Sequence, residues 1–366
     1  MEHFRRILVI TPAQLGDVFL CTPLITAARE RWPGARVDVL GFAGTLQMLA
    51  GNPDVTELIE IPTGSGRGAQ LLQAWKLRRR YDLALVTRTS DRSHLYGIVT
   101  ARTRSAVLPE GGPGSGWKRR FAQHGLVPAP QTHQVLQKLQ LLQPWGAPPP
   151  TVSLSPPAGA PLPPAIEARI VHPCVAVQMP SMWRYKQWPA RHFRRVVDGL
   201  LADGVQVIVT GSDSSHDRAQ IEQVLGSDVP AGVLDVAGQL TMPQMRTLLE
   251  RVDAYLGPDT SVTHLAAAVG VPIVTMFGPT NPQDFGPWPR HHPSVQPWQR
   301  RADRQQVRNI VVLQGPDLPG RSCVPCNRMG CEHQHASTSH CLLELAPERV
   351  LSELRAILQL QSAASA

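Results

Sequence analysis

The sequence predicts an α/β protein made of two doubly wound, Rossmann-like domains facing a cleft. Three observations carry this. At 366 residues, the chain exceeds the size at which one hydrophobic core stops growing. Short apolar runs alternate with helical periodicity in both halves, the pattern of parallel sheets covered on both faces. Between the halves, residues 144–164 contain nine prolines in 21 positions, which neither a helix nor a central strand accepts. The expected division is a domain over 1–150, a linker over 151–165, a second domain over 166–345, and a final helix and tail over 346–366.

The elements follow in order. Arg6–Ile10 reads as a strand and Thr11–Gly16 as a turn. Val18–Arg31 reads as a helix that Pro33-Gly34 stops. Strands are expected at 36–40, 55–61 and 83–87, with helices at 44–50 and 69–80. In the second half, strands at 175–178, 205–210, 254–256 and 272–277 alternate with helices at 192–203, 219–225, 242–251 and 262–269. A last helix covers 347–361. No 20–50-residue repeat is apparent.

Composition narrows the class. The apolar fraction of 42% is that of a folded protein, and no apolar run reaches the ~18 residues that span a bilayer. The N-terminus leads into a short strand and a Gly/Asp turn rather than a signal peptide, so a cytoplasmic protein is expected. The net charge of +8 is unevenly placed: residues 1–150 hold 18 Lys and Arg against 10 Asp and Glu, and the remainder balances. Clusters at Lys76/Arg78/Arg79/Arg80 and Lys118/Arg119/Arg120 suit either a solvated face or an anionic partner. No aromatic-basic motif accompanies them, so nucleic acid is not expected.

Three loops could carry chemistry. Leu15-Gly16-Asp17-Val18 follows the first strand, where Asp17 is either an N-cap or a general base. Gly257-Pro258-Asp259-Thr260-Ser261-Val262-Thr263-His264 follows a strand and opens a helix. Free amides at such a start suit a diphosphate, although Asp259 could be a plain cap and His264 a packed core residue. Trp183-Arg184-Tyr185-Lys186-Gln187-Trp188-Pro189 places Lys186 where it could neutralise a leaving phosphate.

The order of these segments resembles the ADP-heptose:lipopolysaccharide heptosyltransferase family, glycosyltransferase family 9. The resemblance covers nearly the whole chain. It adds Ile7–Pro12, His264-Leu265-Ala266-Ala267-Ala268, Phe277-Gly278-Pro279-Thr280-Asn281-Pro282 and Gly286-Pro287-Trp288. It implies a GT-B fold and inverting, metal-independent transfer from ADP-heptose, with no catalytic cofactor. Asp17 would be the base and Lys186 would hold the diphosphate. Thr260, Ser261 and Val262 would offer amides, and Asp259 would bind heptose hydroxyls with His264 close by. Ser181 and Asp213 match donor and ribose contacts. The implied acceptor is the lipopolysaccharide core, with peripheral contact at an anionic inner-membrane face. A protein or surface-glycan acceptor, or nucleotide-sugar epimerisation, is the alternative.

The last feature is Cys323-x2-Cys326-x4-Cys331-x9-Cys341. Four clustered thiols suit a tetrahedral soft-metal site for zinc or iron; reduced free thiols are a second reading and disulfides, which a reducing cytoplasm disfavours, a third. Cys21 and Cys174 lie alone in apolar surroundings and read as buried thiols.

Overall fold

The computed structural model describes residues 2–61, 64, 66–112 and 115–365. The chain forms two compact units. The first runs to Ala158 and takes in His291–Gln296; the second holds Gly159–Arg290 and the chain from Pro297 onward.

The first unit contains β1 (Arg6–Ile10), α1 (Leu15–Phe19), α2 (Thr22–Arg31), β2 (Arg36–Phe42), β3 (Glu57–Ile61), α3 (Arg67–Lys76), β4 (Tyr81–Val86), α4 (Asp91–Thr100), β5 (Ala101–Val107), α5 (Ser115–Phe121), β6 (His124–Leu126), α6 (Gln134–Leu139) and β7 (Thr151–Val152). Six strands pair in parallel in the order β3-β2-β1-β4-β5-β6. Ile7–Ile10 are fully buried, as a continuous apolar run covered on both faces requires.

Two expected helices differ. The helix over 18–31 is broken between Phe19 and Thr22. Pro23 lacks an N–H and fits the first turn of a new helix better than the interior of a long one. Residues 44–50 form only a 3-10 turn at Leu46–Leu49. β5 and α4 were not expected, because exposed Arg102 and half-buried Arg104 mask the strand's apolar face.

The second unit contains α7 (Pro164–Glu167), β8 (Cys174–Gln178), α8 (Ala190–Ala202), β9 (Gln206–Thr210), α9 (Ser215–Leu225), β10 (Val233–Asp235), α10 (Met242–Leu249), β11 (Ala254–Pro258), α11 (Ser261–Val269), β12 (Ile273–Phe277) and α12 (Pro282–Phe285). The chain then returns to the first unit as β13 (His292–Pro293), which pairs antiparallel with β7. β14 (Arg304–Val307), β15 (Ile310–Gln314), α13 (His340–Leu343) and α14 (Pro347–Ser365) complete the second unit. Its sheet has the order β10-β9-β8-β11-β12-β15-β14, parallel except for the β14–β15 edge pair.

α8 buries Phe193, Val196, Val197 and Leu200, one stripe of a 3.6-residue period, against the sheet. α14 packs beside α8, with Leu351 against Gly199 and Arg355 paired to Asp203 at 2.6 Å. It is therefore part of the second unit's core rather than an appendage.

The proline-rich stretch is not a free tether. The amide of Ala158 donates to Ala50 O at 2.8 Å, which fixes it to the first unit. The amide of Ala160 donates to Pro243 O at 3.3 Å, and Gln244 Nε2 to Pro161 O at 3.2 Å, within the second. The crossing thus occurs over a couple of residues, because proline-rich chain still offers carbonyls and intervening amides to its neighbours. Among the described residues, no helix is long and apolar enough to cross a membrane.

Candidate donor-binding and catalytic site

In the second unit strand order reverses between β8 and β11, and a crevice forms at such a switch point beyond the strands' carboxyl ends. Lys186 lies after β8 and Asp259 directly after β11. They meet there, Lys186 Nζ to Asp259 Oδ2 at 2.5 Å. Asp259 is nearly buried at 9% side-chain exposure, and Lys186 is 23% exposed. Asp259 is a partner of Lys186, and the N-cap of α11 is Thr260.

Thr260 makes no capping hydrogen bond. Its hydroxyl lies 3.3 Å from Thr263 Oγ1, which in turn donates to Pro258 O at 2.6 Å and meets Tyr255 Oη at 2.9 Å. The hydroxyls that ordinarily cap a helix are turned toward the strand. The first-turn amides at Ser261 and Val262 are left without a side-chain cap, next to an ammonium group. A helix start without a side-chain cap and a nearby lysine are groups of the kind that suit a polyanion. His264 is buried one turn into the helix at 5% exposure. Gly270, in the left-handed region at φ 96°, ends the helix.

In the sequence Tyr255 falls in a strand and Gly257 at the start of the loop, but nothing there shows that the two pack together. Tyr255 is fully buried, and burial pushes the pKa of its hydroxyl up. A Cβ on Gly257 would overlap the Tyr255 hydroxyl. Gly257→Ala is therefore expected to destabilise the fold by about 1–3 kcal/mol. The check is a thermal midpoint a few degrees below the parent's; an unchanged midpoint would show that the hydroxyl ladder is not tightly packed.

Ser181 is buried just beyond β8. Its carbonyl accepts from Gln187 Nε2 at 2.9 Å, and its amide donates to Gln220 Oε1 at 3.2 Å. Asp213 is exposed beyond β9, packed on Gly238, whose φ of 73° and lack of Cβ permit the contact. Ser181, Asp213, Lys186 and the Asp259–His264 segment all follow carboxyl ends of the same sheet. A cavity of about 470 Å³ lies beside this edge, lined by Gln187, Trp188, His216 and Gln220 among others. Lys186 and Asp259 do not line it.

In the first unit the strand order reverses between β1 and β4. Asp17 follows β1 and Arg88 follows β4, and Arg88 Nη1 lies 3.2 Å from Asp17 Oδ2. The N-cap of α1 is Gln14, so Asp17 stands inside the first turn and is not the cap. Its carboxylate is 19% exposed and carries a cationic partner that the sequence had shown only as one of several arginines. Cys21 and Cys174 are buried, and burial pushes both thiols up.

The cysteine loop packs onto the same edge of the second unit. Trp183 stacks on His335 with centroids 4.3 Å apart, and Ser339 Oγ donates to Tyr185 O at 2.7 Å, so the loop braces the segment that carries Lys186. The Phe277–Pro282 motif is its floor. Gly278 makes room for Leu342 and Cys341, and the Asn281 amide donates to Asn327 Oδ1 at 3.0 Å. Asp317 accepts the amides of Cys323 and Val324 at 2.7 and 2.6 Å, which hold its carboxyl below the usual range. Cys341 is buried, with its thiol pushed up to about 12 by burial and by Cys326, Cys331 and Cys323. The four sulfurs are not gathered at ligand spacing. Among the described residues, only His172, Cys174 and Asp253 bring three such atoms within 4.8 Å of one another. The preformed tetrahedral set expected from the spacing is thus absent: Cys331 is exposed while Cys341 sits on α13.

Two doubly wound parallel sheets, each with an ion pair at its switch point, define an α/β protein of the GT-B fold. Residues 72–311 match glycosyltransferase family 9 (heptosyltransferase), and the chain belongs to that family. Lipopolysaccharide heptosyltransferase 2 of Escherichia coli (strain K12) is 26% identical over 380 residues, covering 96% of this chain and 98% of the relative. Lipopolysaccharide heptosyltransferase 3 of the same strain is 27% identical over 286 residues, covering 75% and 82%. The solved structure of E. coli ADP-heptose lps heptosyltransferase II superposes with a TM-score of 0.72 at 21% identity, covering 98% of this chain and 99% of that one.

Proposed function

We propose that the chain transfers heptose from ADP-heptose to the lipopolysaccharide inner core, with inversion and without a catalytic metal, at the inner face of the inner membrane. The observation that carries this reading is the Lys186–Asp259 pair beside the uncapped start of α11. Protein groups alone can take up the charge of a departing diphosphate there. The names of the relatives above support the donor and the acceptor.

In this reading Asp17 accepts the proton of an acceptor hydroxyl. The hydroxyl oxygen forms a bond to the anomeric carbon as the bond to the ADP oxygen breaks. One displacement of this kind inverts the anomeric centre. The leaving diphosphate goes to the amides of Thr260, Ser261 and Val262 and to Lys186. Asp259 and His264 face the heptose hydroxyls, and Ser181 and Asp213 the nucleotide. Donor profiling tests the assignment. ADP-heptose should raise the thermal midpoint more than UDP-, GDP- or CMP-sugars. Equal stabilisation by all four would reject the donor.

The cysteine loop is proposed to hold a structural zinc or iron ion. Its four sulfur donors are soft, but the loop must draw in for them to bind one ion. Such an ion would fix the brace under Lys186 and take no part in bond making. Elemental analysis of protein purified without chelator should find about one zinc or iron per chain; none would remove this part of the reading.

A further inference from the structure

The first unit carries an apolar surface that its own fold does not use. On α3, Ala74 turns inward and, with Leu77 just beyond the helix, packs among the core residues that include Tyr96 of α4. Leu71, Leu72 and Trp75 fall within about 100° of one another on a different side of the helix. They are 61%, 57% and 63% exposed. α4 packs beside α3 and adds Leu95; α5 packs beside α4 and adds Phe121, both about half exposed. Of the eleven large apolar side chains exposed among the described residues, five therefore lie on one layer of three adjacent helices. A folded chain rarely leaves such a concentration in water without a use for it.

The surroundings say what covers it. Lys76, Arg78 and Arg79 are exposed at the end of α3, Arg92 on α4, and Arg119 and Arg120 on α5. Arg78 lies over the Trp75 ring at 4.8 Å. The acidic Asp91 on this layer is already paired with Lys118 at 2.7 Å. Leucine and aromatic side chains ringed by arginine and lysine are the composition of a surface that enters the headgroup zone of an anionic leaflet. We infer that the α3–α4–α5 layer seats the protein on an anionic lipid bilayer, its apolar side chains among the headgroups and its cations on the lipid phosphates. This deepens the proposed use of a lipid-borne acceptor and rests on that reading for its purpose.

Co-sedimentation of the full chain with vesicles tests it. Vesicles of phosphatidylcholine mixed with phosphatidylglycerol should bind the protein at least about tenfold better than phosphatidylcholine alone, and added salt should reverse this. Leu72→Ser with Trp75→Ser should lower binding about tenfold or more. The thermal midpoint and transfer to a delipidated core oligosaccharide should be unchanged. Arg78→Glu with Arg120→Glu should abolish the preference for phosphatidylglycerol. Equal sedimentation of parent and Leu72/Trp75 variant overturns the inference. So does a concentration-dependent dimer that this variant abolishes, since a second copy would then be the cover. If the parent fails to use the delipidated acceptor, the transferase reading fails while the vesicle comparison still decides the docking surface.

Discussion

Replacing Asp17 with Asn is expected to lower turnover by about 10²–10⁴-fold, the usual contribution of a positioned general base. The change is nearly isosteric and removes proton-accepting capacity. Asp17 is part of one partly exposed pair with Arg88, worth at most about 1 kcal/mol, so the fold should persist. Donor-induced stabilisation should stay at the parent value, since the proposed donor residues lie in the other unit. Single-turnover kinetics separates these effects. Near-normal turnover by the Asn variant would take the base away from Asp17 and leave the donor assignments standing.

Lys186→Ala should weaken ADP binding by about 10–100-fold, the worth of one charge-assisted contact to phosphate. Turnover should fall with it, because the lost contact strengthens as charge develops on the leaving oxygen. The variant leaves the nearly buried Asp259 without its ammonium partner, but the start of α11 partly offsets that charge. The protein should therefore fold, which circular dichroism can verify. Lys186→Arg should restore only part of the activity, because a planar fork cannot occupy the place of a compact ammonium group. Unchanged ADP affinity in the alanine variant would place the diphosphate elsewhere.

The alternation of elements was legible because β1, β8, β11 and β12 are short, continuously apolar and buried on both faces. The loops at both switch points were legible for the same reason, since each directly follows a readable strand. Arg88 was not, because its pairing with Asp17 depends on β1 and β4 lying side by side, which no local pattern in either segment reveals. Gln14 was likewise overlooked as the cap, since Asp17 has the stronger intrinsic preference and the turn geometry overrode it. The crossing into β13 left almost no trace: two residues, one of them proline, carry no periodicity. Cysteine spacing suggested a gathered site, yet the loop's hydrogen bonds and stacking distribute the four thiols between surface and core. Spacing along a chain limits which atoms can meet and does not oblige them to.

The contact between Lys186 and Asp259 has a kinetic consequence. Asp259 already gives the ammonium group of Lys186 a counter-ion, so on the proposed reading a diphosphate would not simply add to a bare charge. It would exchange with one. Once the sugar had gone, Asp259 would be on hand to reclaim the lysine, much as eluting salt competes for a resin. An internal competitor of this kind would lower the affinity for spent nucleotide and shorten its residence. Asp259→Asn would then make ADP a tighter and slower-leaving product, quite apart from any contact the carboxylate makes with the sugar.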